Sequence, residues 1–349
     1  MVKILIQEDK KLYQCEACGF HYESKEQAEK CEAWCKEHNS CNLEITAEAE
    51  ENKNTNVYMN YPIIQIKTPD DIWLYGLYLR PENSDTVFIN IHGTASNFYE
   101  EYFVEVIAKK IWFQGIAMLS TNNRGTGVYD AYQKTGAAVE KFEDCVIDID
   151  AWIEFATKEG FNKVVLSGHS LGTEKVVYYM SHGKYADKVS STILLAPSDS
   201  YGSHHMLNGR INPRLTEVEI LLKQSEELVK QNNGDVFLQR NAYGSYEGIM
   251  PKSAESFINF LGHNSTLLKS LPFNTKNLES YSKIKVPILV VIGDQDEYTV
   301  IPILEALELM KRENKNTNVF QIKGCDHDFQ GKEEELAGII IKFLRNNHA

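Results

Sequence analysis

The chain has 349 residues, 43% of them hydrophobic and 24% charged, the balance of a soluble globular protein with room for a large core and one or two domains. A formal net charge of −13 argues against a broad nucleic-acid footprint, which needs clustered Lys and Arg. No apolar run approaches the ~20 residues that span a membrane. The opening MVKILIQEDKK lacks the basic start, apolar centre and cleavage site of a secretory signal, so a cytoplasmic location is expected.

Five of the seven cysteines fall within residues 15–41, in YQCEACGFHYESKEQAEKCEAWCKEHNSC. In a reducing compartment such a cluster points to a metal site before a disulfide framework. Cys15 and Cys18 form a C-x-x-C knuckle. Cys31 and Cys35 share one face if residues 25–38 are helical. Four thiolates make a closed tetrahedral zinc site of structural type, with no open position for catalysis. Cys41, His21 and His38 compete for the fourth position. A module this small needs such a staple to fold, and similar short cysteine-rich modules occur in small archaeal and bacterial proteins. From Lys10 to Cys41 there are five Lys and six Glu, the wrong balance for phosphate binding and a better match to a protein contact.

A polar, Asn-rich seam near 46–56 reads as a linker. The expected organisation is a cysteine-rich zinc-binding module over 1–46, a linker over 47–56 and a larger domain over 57–349. In that domain strands are predicted at 62–67, 72–80 and 86–91, then a helix at 98–113 with Phe103, Val104, Ile107, Ala108 and Ile111 at helical spacing. There follow strand 115–120, helix 139–158, strand 163–167, helix 171–182 and strand 192–196. Strand 286–292, helix 300–312, strand 317–322 and helix 333–345 close the chain. Apolar strands alternating with amphipathic helices predict a mostly parallel sheet covered on both faces. The first two strands, with no helix between them, predict an antiparallel hairpin at one edge. Residues 198–283 break the rhythm with helices near 215–231 and 253–262, and read as a helical cap inserted over an active site.

The stretch VVLSGHSLGTEKVVYYM, residues 164–180, places Ser170 between Gly168 and Gly172 where a buried strand becomes a helix. A serine hydroxyl needs an adjacent base to act as a nucleophile. A sharp strand-to-helix turn presents its oxygen at the carboxyl end of the sheet, and the following helix aims free N–H groups at it. An acid and then a histidine should follow in the chain. After strand 286–292 comes GDQDEYTV, with Asp294, Asp296 and Glu297 as candidates; the Gly-x-x-Asp spacing favours Asp296. After strand 317–322 comes GCDHDF, which hangs His327 where the base belongs. His327 would take the Ser170 proton, and Asp296 would orient its ring. Leu171 N–H and Thr94 N–H, the latter from INIHGTASNFY, would form the oxyanion hole. Arg124 in STNNRGTGVYD is a substrate-carboxylate ligand or a brace between loops. Cys325 reads as a small buried residue. Phe257, Phe260, Leu261, Leu267, Leu268, Leu271 and Phe273 either line an acyl pocket or pack the cap onto the core.

With these elements in order, residues ~57–349 resemble the α/β-hydrolase superfamily. The segments NNRGTG, EKFEDCVIDIDAWIEF, LSGHSLGTEKVVYY and LLAPSDS are more narrowly similar to the DUF1749-type hydrolases, a branch that includes fungal siderophore esterases. The fungal members typically carry Thr after the elbow serine, where this chain has Leu171, so the siderophore substrate does not carry over. The resemblance implies an α/β-hydrolase fold and hydrolysis of an ester or related acyl group without a cofactor.

The resulting expectation is a cytoplasmic serine esterase acting on a carboxylic ester, thioester or small amide through an acyl-enzyme, with zinc as a structural ion only and with neither nucleic acid nor membrane as partner. The competing expectations are an acyltransferase and a non-catalytic or regulatory hydrolase-like protein that makes contacts through its zinc module.

Overall fold

Five strands carry almost nothing but buried side chains: β6 (Thr86–Ile91), β7 (Ala117–Thr121), β8 (Lys163–His169), β9 (Val189–Leu195) and β12 (Ile288–Gly293). Strands buried on both faces belong in the middle of a parallel sheet, with helices above and below. The computed structural model describes all residues except 1, 8–9, 39–41, 47, 50–60, 239–250, 297 and 349. In it the chain divides into two units, Met1–Tyr61 and Pro62–Ala349.

In the first unit β1 (Lys3–Gln7), β2 (Lys10–Gln14) and β3 (His21–Tyr22) form an antiparallel sheet beside α1 (Lys25–His38) and α2 (Leu43–Thr46). Helix α1 takes the predicted span. Its inner face carries Ala28, Cys31 and Cys35, which pack with Cys15 and Tyr22.

The second unit is built on an eight-stranded sheet that contains the five buried strands together with β4 (Ile63–Lys67), β5 (Trp73–Leu79) and β13 (Thr317–Ile322). Its order is β13-β12-β9-β8-β6-β7-β5-β4. The pairs from β7 to β13 are parallel, while β5 is antiparallel to both β7 and β4, so the two expected early strands do form an edge hairpin. Helices α3 (Tyr102–Trp112), α4 (Cys145–Lys158) and α5 (Leu171–His182) follow β6, β7 and β8. Phe103, Ile107 and Ile111 of α3 pack on one sheet face, and Trp152 of α4 and Val176 of α5 on the other.

After β9 the chain leaves the sheet. It forms α6 (Ser200–His205), a small hairpin of β10 (Met206–Leu207) and β11 (Arg210–Ile211), α7 (Leu215–Lys230), α8 (Ala254–Leu261) and α9 (Glu279–Ser282). The chain then returns through β12, α10 (Ile303–Glu313), β13 and α11 (Glu333–His348). The inserted segment has its own apolar cluster, in which Val218, Leu221, Phe257, Phe260 and Leu267 meet Leu171 and Tyr178 of α5. Leu271 and Phe273 instead join the main core. The cap side chains therefore divide between two clusters. Among the described residues no helix is long and apolar enough to cross a membrane.

Candidate active site

Strand β8 ends at His169 and α5 begins at Leu171, so Ser170 alone makes the turn between them. Its backbone sits at φ 52°, ψ −125°, a conformation that costs a non-glycine residue about 1–3 kcal/mol. The surroundings enforce it. Ser170 N–H donates to the Leu195 carbonyl at 3.0 Å, and the Ser170 carbonyl accepts from Thr173 N–H at 2.8 Å and Thr173 Oγ1 at 2.6 Å. A Cβ at Gly168 would strike the Gly172 carbonyl, and one at Gly172 would strike the Ile91 carbonyl of β6. Only glycine lets the strand and the helix pass this closely.

Asp296 follows β12 and His327 follows β13, on the same sheet edge as Ser170. His327 Nδ1 lies 2.9 Å from Asp296 Oδ2, and both residues are buried. Asp296 Oδ1 accepts from Tyr298 N–H at 2.9 Å, and the Tyr298 ring meets the His327 ring edge-on at 4.6 Å. His169 Nε2 donates to the His327 carbonyl at 3.0 Å. A carbonyl only accepts, so Nε2 carries the His169 proton, and among the described residues Nδ1 has no partner; the ring lies beside those of Phe103 and Phe329. Burial and the neighbouring His327 pull the His169 imidazole down to about 3, which keeps it a neutral brace.

The other acid candidates fare differently. Asp294 Oδ1 accepts from Gly324 N–H at 2.7 Å and Cys325 N–H at 3.3 Å, tying together the loops that carry Asp296 and His327. Glu297 lies outside the described residues. Cys325 is buried, and burial pushes its thiol up to about 12.

The loop after β6 brings Gly93 and Thr94 to the elbow. A Cβ at Gly93 would stand 3.0 Å from Ser170 Cβ and 3.3 Å from the His169 carbonyl. His92 fixes this loop, a role that sequence reasoning missed. Its Nδ1 donates to the Gly93 carbonyl at 2.7 Å, and its Nε2 accepts from Asn123 N–H at 3.1 Å and Thr126 Oγ1 at 2.8 Å. Burial holds the ring neutral, near 3. Leu171 N–H stands in the first turn of α5, where backbone donors have no acceptor within the helix. The Leu171 side chain is buried in the cap cluster, so an apolar residue suits this position.

Arg124 is a brace between loops. Nearly buried, it holds Asp148 at 2.8 Å, Asp70 at 2.9 Å and Asp144 at 3.2 Å. Beneath the same loop Lys175 pairs with Glu140 and donates to Asn123 Oδ1 at 2.9 Å.

Ser170, His327, Gly93 and Thr94 line a cavity of about 370 Å³, closed on the cap side by Asp199, His204, Lys252, Phe257, Phe260 and Leu261. Asp199 accepts from Gly202 N–H at 2.6 Å and Asn274 N–H at 3.1 Å, yet burial still raises it to about 6. Behind it Glu174 is enclosed completely. Its carboxyl meets the Ser198 hydroxyl at 2.9 Å, the Ser200 N–H and hydroxyl, and the Ser270 hydroxyl at 3.4 Å. Burial, with Asp199 nearby, pushes Glu174 up to about 8. Neither acid stands out in the sequence, because both owe their state to the cap folding over them.

In the other unit, the sulfurs of Cys15, Cys18, Cys31 and Cys35 all lie within 4.8 Å of one another. The Cys18–Cys31 separation is 3.5 Å and the Cys31–Cys35 separation 4.0 Å, beyond a disulfide and close to the ~3.8 Å between thiolates around a tetrahedral zinc. Among the described residues this cluster holds neither His21 nor His38; the His38 ring stacks on Trp34. Cys41 lies outside the described residues.

No curated protein matches the sequence. Solved structures do. Est1E from Butyrivibrio proteoclasticus, determined with ferulic acid bound, is 18% identical at a TM-score of 0.58, covering 81% of this chain and 98% of its own. The esterase Pf2001 from Pyrococcus furiosus is 18% identical at a TM-score of 0.53, covering 83% and 92%. The α/β hydrolase GrgF from Penicillium sp. sh18 is 14% identical at a TM-score of 0.58, covering 82% and 98%. The architecture is thus the α/β-hydrolase fold. The profile of one sequence family, described as "Protein of unknown function (DUF1749)", matches residues 129–345, a stretch that includes Ser170, Asp296 and His327, and the chain belongs to that family.

Proposed function

We propose that the protein is a serine hydrolase that cleaves a carboxylic ester, or a related thioester or small amide, through an acyl-enzyme. The observation that carries this reading is that Ser170, in a strained turn that only its glycine neighbours permit, faces the same cavity as a histidine paired with a buried aspartate. The Pf2001 fold, an esterase's, is consistent with it.

In this mechanism Ser170 Oγ attacks the ester carbonyl carbon while His327 Nε2 takes its proton. Asp296 holds the His327 tautomer with Nδ1–H and stabilises the charged ring. The developing oxyanion is met by the N–H groups of Thr94 and Leu171, worth a few kcal/mol each. The C–O bond breaks, and the leaving alkoxide receives the proton from His327. A water then attacks the acyl-enzyme with His327 again as base, releasing the acid and Ser170. Chromogenic short-chain esters test the reading. Hydrolysis should fall by at least 10³-fold in Ser170→Ala and in His327→Ala; turnover retained by Ser170→Ala would refute it.

We propose further that Cys15, Cys18, Cys31 and Cys35 hold a structural zinc ion. Four thiolates at these separations fit a tetrahedral ion and fill its coordination sphere. Bound there, zinc would staple α1 to the turn after β2. It has no part in the hydrolysis.

A further inference from the structure

We infer that the cavity is built for an ester carrying a free carboxylate, and that Lys252 recognises that group. The inference rests on the hydrolase reading of the same cavity and names its substrate class.

Lys252 lies just before α8, in the cavity wall. Its Nζ donates to the Ala137 carbonyl at 2.8 Å and to Ser256 Oγ at 3.2 Å, and sits 3.7 Å from the centroid of the Phe260 ring. All three neighbours are neutral. Other lysines nearby are paired: Lys141 with Glu255 at 2.8 Å, and Lys175 with Glu140. Lys252 forms no ion pair among the described residues. Burial draws its pKa down to about 8, so it is still mostly charged at pH 7.

Among the described residues lining the cavity, Lys252 is the only Lys or Arg. The imidazoles of His169 and His204 are kept neutral by burial. Three carboxylates also line the cavity: Asp199 is held by backbone N–H groups, Glu101 accepts from Ser96 Oγ at 3.0 Å, and Asp328 is exposed, with a carboxylate oxygen within 4.8 Å of a His327 ring nitrogen. Two of its N–H groups meet neutral oxygens and the third side faces the Phe260 ring, so its charge has no carboxylate partner among the described residues, and a ligand anion would satisfy that charge at lower cost than deprotonation. Phe257, Phe260 and Leu261 beside it suit a short apolar spacer, and a cavity of about 370 Å³ has room for one. A half-ester of a short dicarboxylic acid has this form.

Two measurements test it. Glutarate is titrated calorimetrically into Ser170→Ala, which binds without turnover, and into Ser170→Ala combined with Lys252→Gln or Lys252→Arg. Gln keeps a donor for Ala137 and Ser256 but not the charge. Binding should weaken at least tenfold with Gln and be largely retained with Arg. In parallel the wild type is offered mono-4-nitrophenyl glutarate and 4-nitrophenyl pentanoate, and the half-ester should have the higher kcat/KM by at least tenfold. No glutarate binding, equal binding with Gln, or no preference for the half-ester would overturn the inference. Hydrolysis of the pentanoate without glutarate binding would sink it while leaving the hydrolase reading intact. Charge-dependent glutarate binding with neither ester hydrolysed would do the reverse.

Discussion

Asp296 Oδ2 and His327 Nδ1 stand 2.9 Å apart although 31 residues separate them in the chain. The contact exists because β12 and β13 are parallel neighbours in register, so the loops leaving them emerge side by side. Asp294, two residues earlier, serves the same alignment by capping the N–H groups of Gly324 and Cys325. The two acids should therefore fail differently. Asp296→Asn should lower kcat by about 10³-fold with little loss of stability, because the wrong His327 tautomer is favoured. Asp294→Asn should lower the free energy of unfolding by about 1–2 kcal/mol while kcat falls far less. Steady-state kinetics with denaturant unfolding on both variants decides this; equal kinetic damage would contradict it.

Gly93 lies where a methyl group would press on Ser170 Cβ and the His169 carbonyl. Gly93→Ala should displace the Thr94 N–H and cost about 10²-fold in kcat with a smaller effect on KM. A loss confined to KM would place this loop in substrate binding alone.

The enclosed Glu174 predicts a pH dependence of stability. The folded chain keeps its proton up to about 8, whereas an unfolded chain releases it near the ordinary 4.5. Between those values the native state binds more protons, so stability should fall as pH rises through this window, by up to about 1.4 kcal/mol per unit from this group. Asp199, raised to about 6, adds a smaller contribution of the same sign at the lower end. Urea unfolding at several pH values from 5 to 8 should show a downward slope in the wild type and a shallower one in Glu174→Gln. Equal slopes would contradict the assignment.

If Cys15, Cys18, Cys31 and Cys35 hold zinc, native mass spectrometry should find one zinc per chain and none after Cys31→Ser. Chelation should unfold the first unit, seen as protease cleavage before residue 62, while labelling of Ser170 persists. A preparation free of metal and equally resistant to protease would refute a structural ion.

The parts of this molecule that repeat a local pattern were legible in the sequence. Buried strands such as β6 and β12 read as continuous apolar runs; Ser170 and Asp296 follow two of them, β8 and β12, while His327 follows the largely exposed β13. The fold class and the edge hairpin followed from the same pattern. The rest depends on contacts between distant segments. The short β10–β11 hairpin leaves no periodic signature in six residues. His92 is an ordinary residue beside a glycine until Asn123 and Thr126 close on it. Lys252 and Glu174 look like surface charges in sequence, and only the packing of the cap shows that one lines the cavity and the other is enclosed. Arg124 had two readings, and three carboxylates decide for the brace.

The central claim, that Ser170 is an activated nucleophile, is tested most directly by intact-mass analysis after treatment with a fluorophosphonate probe. Wild type, Ser170→Ala and His327→Ala are compared at equal fold integrity. A single adduct on the wild type, absent from both variants, is the predicted result. An unlabelled wild type, or an adduct that survives Ser170→Ala, would contradict it.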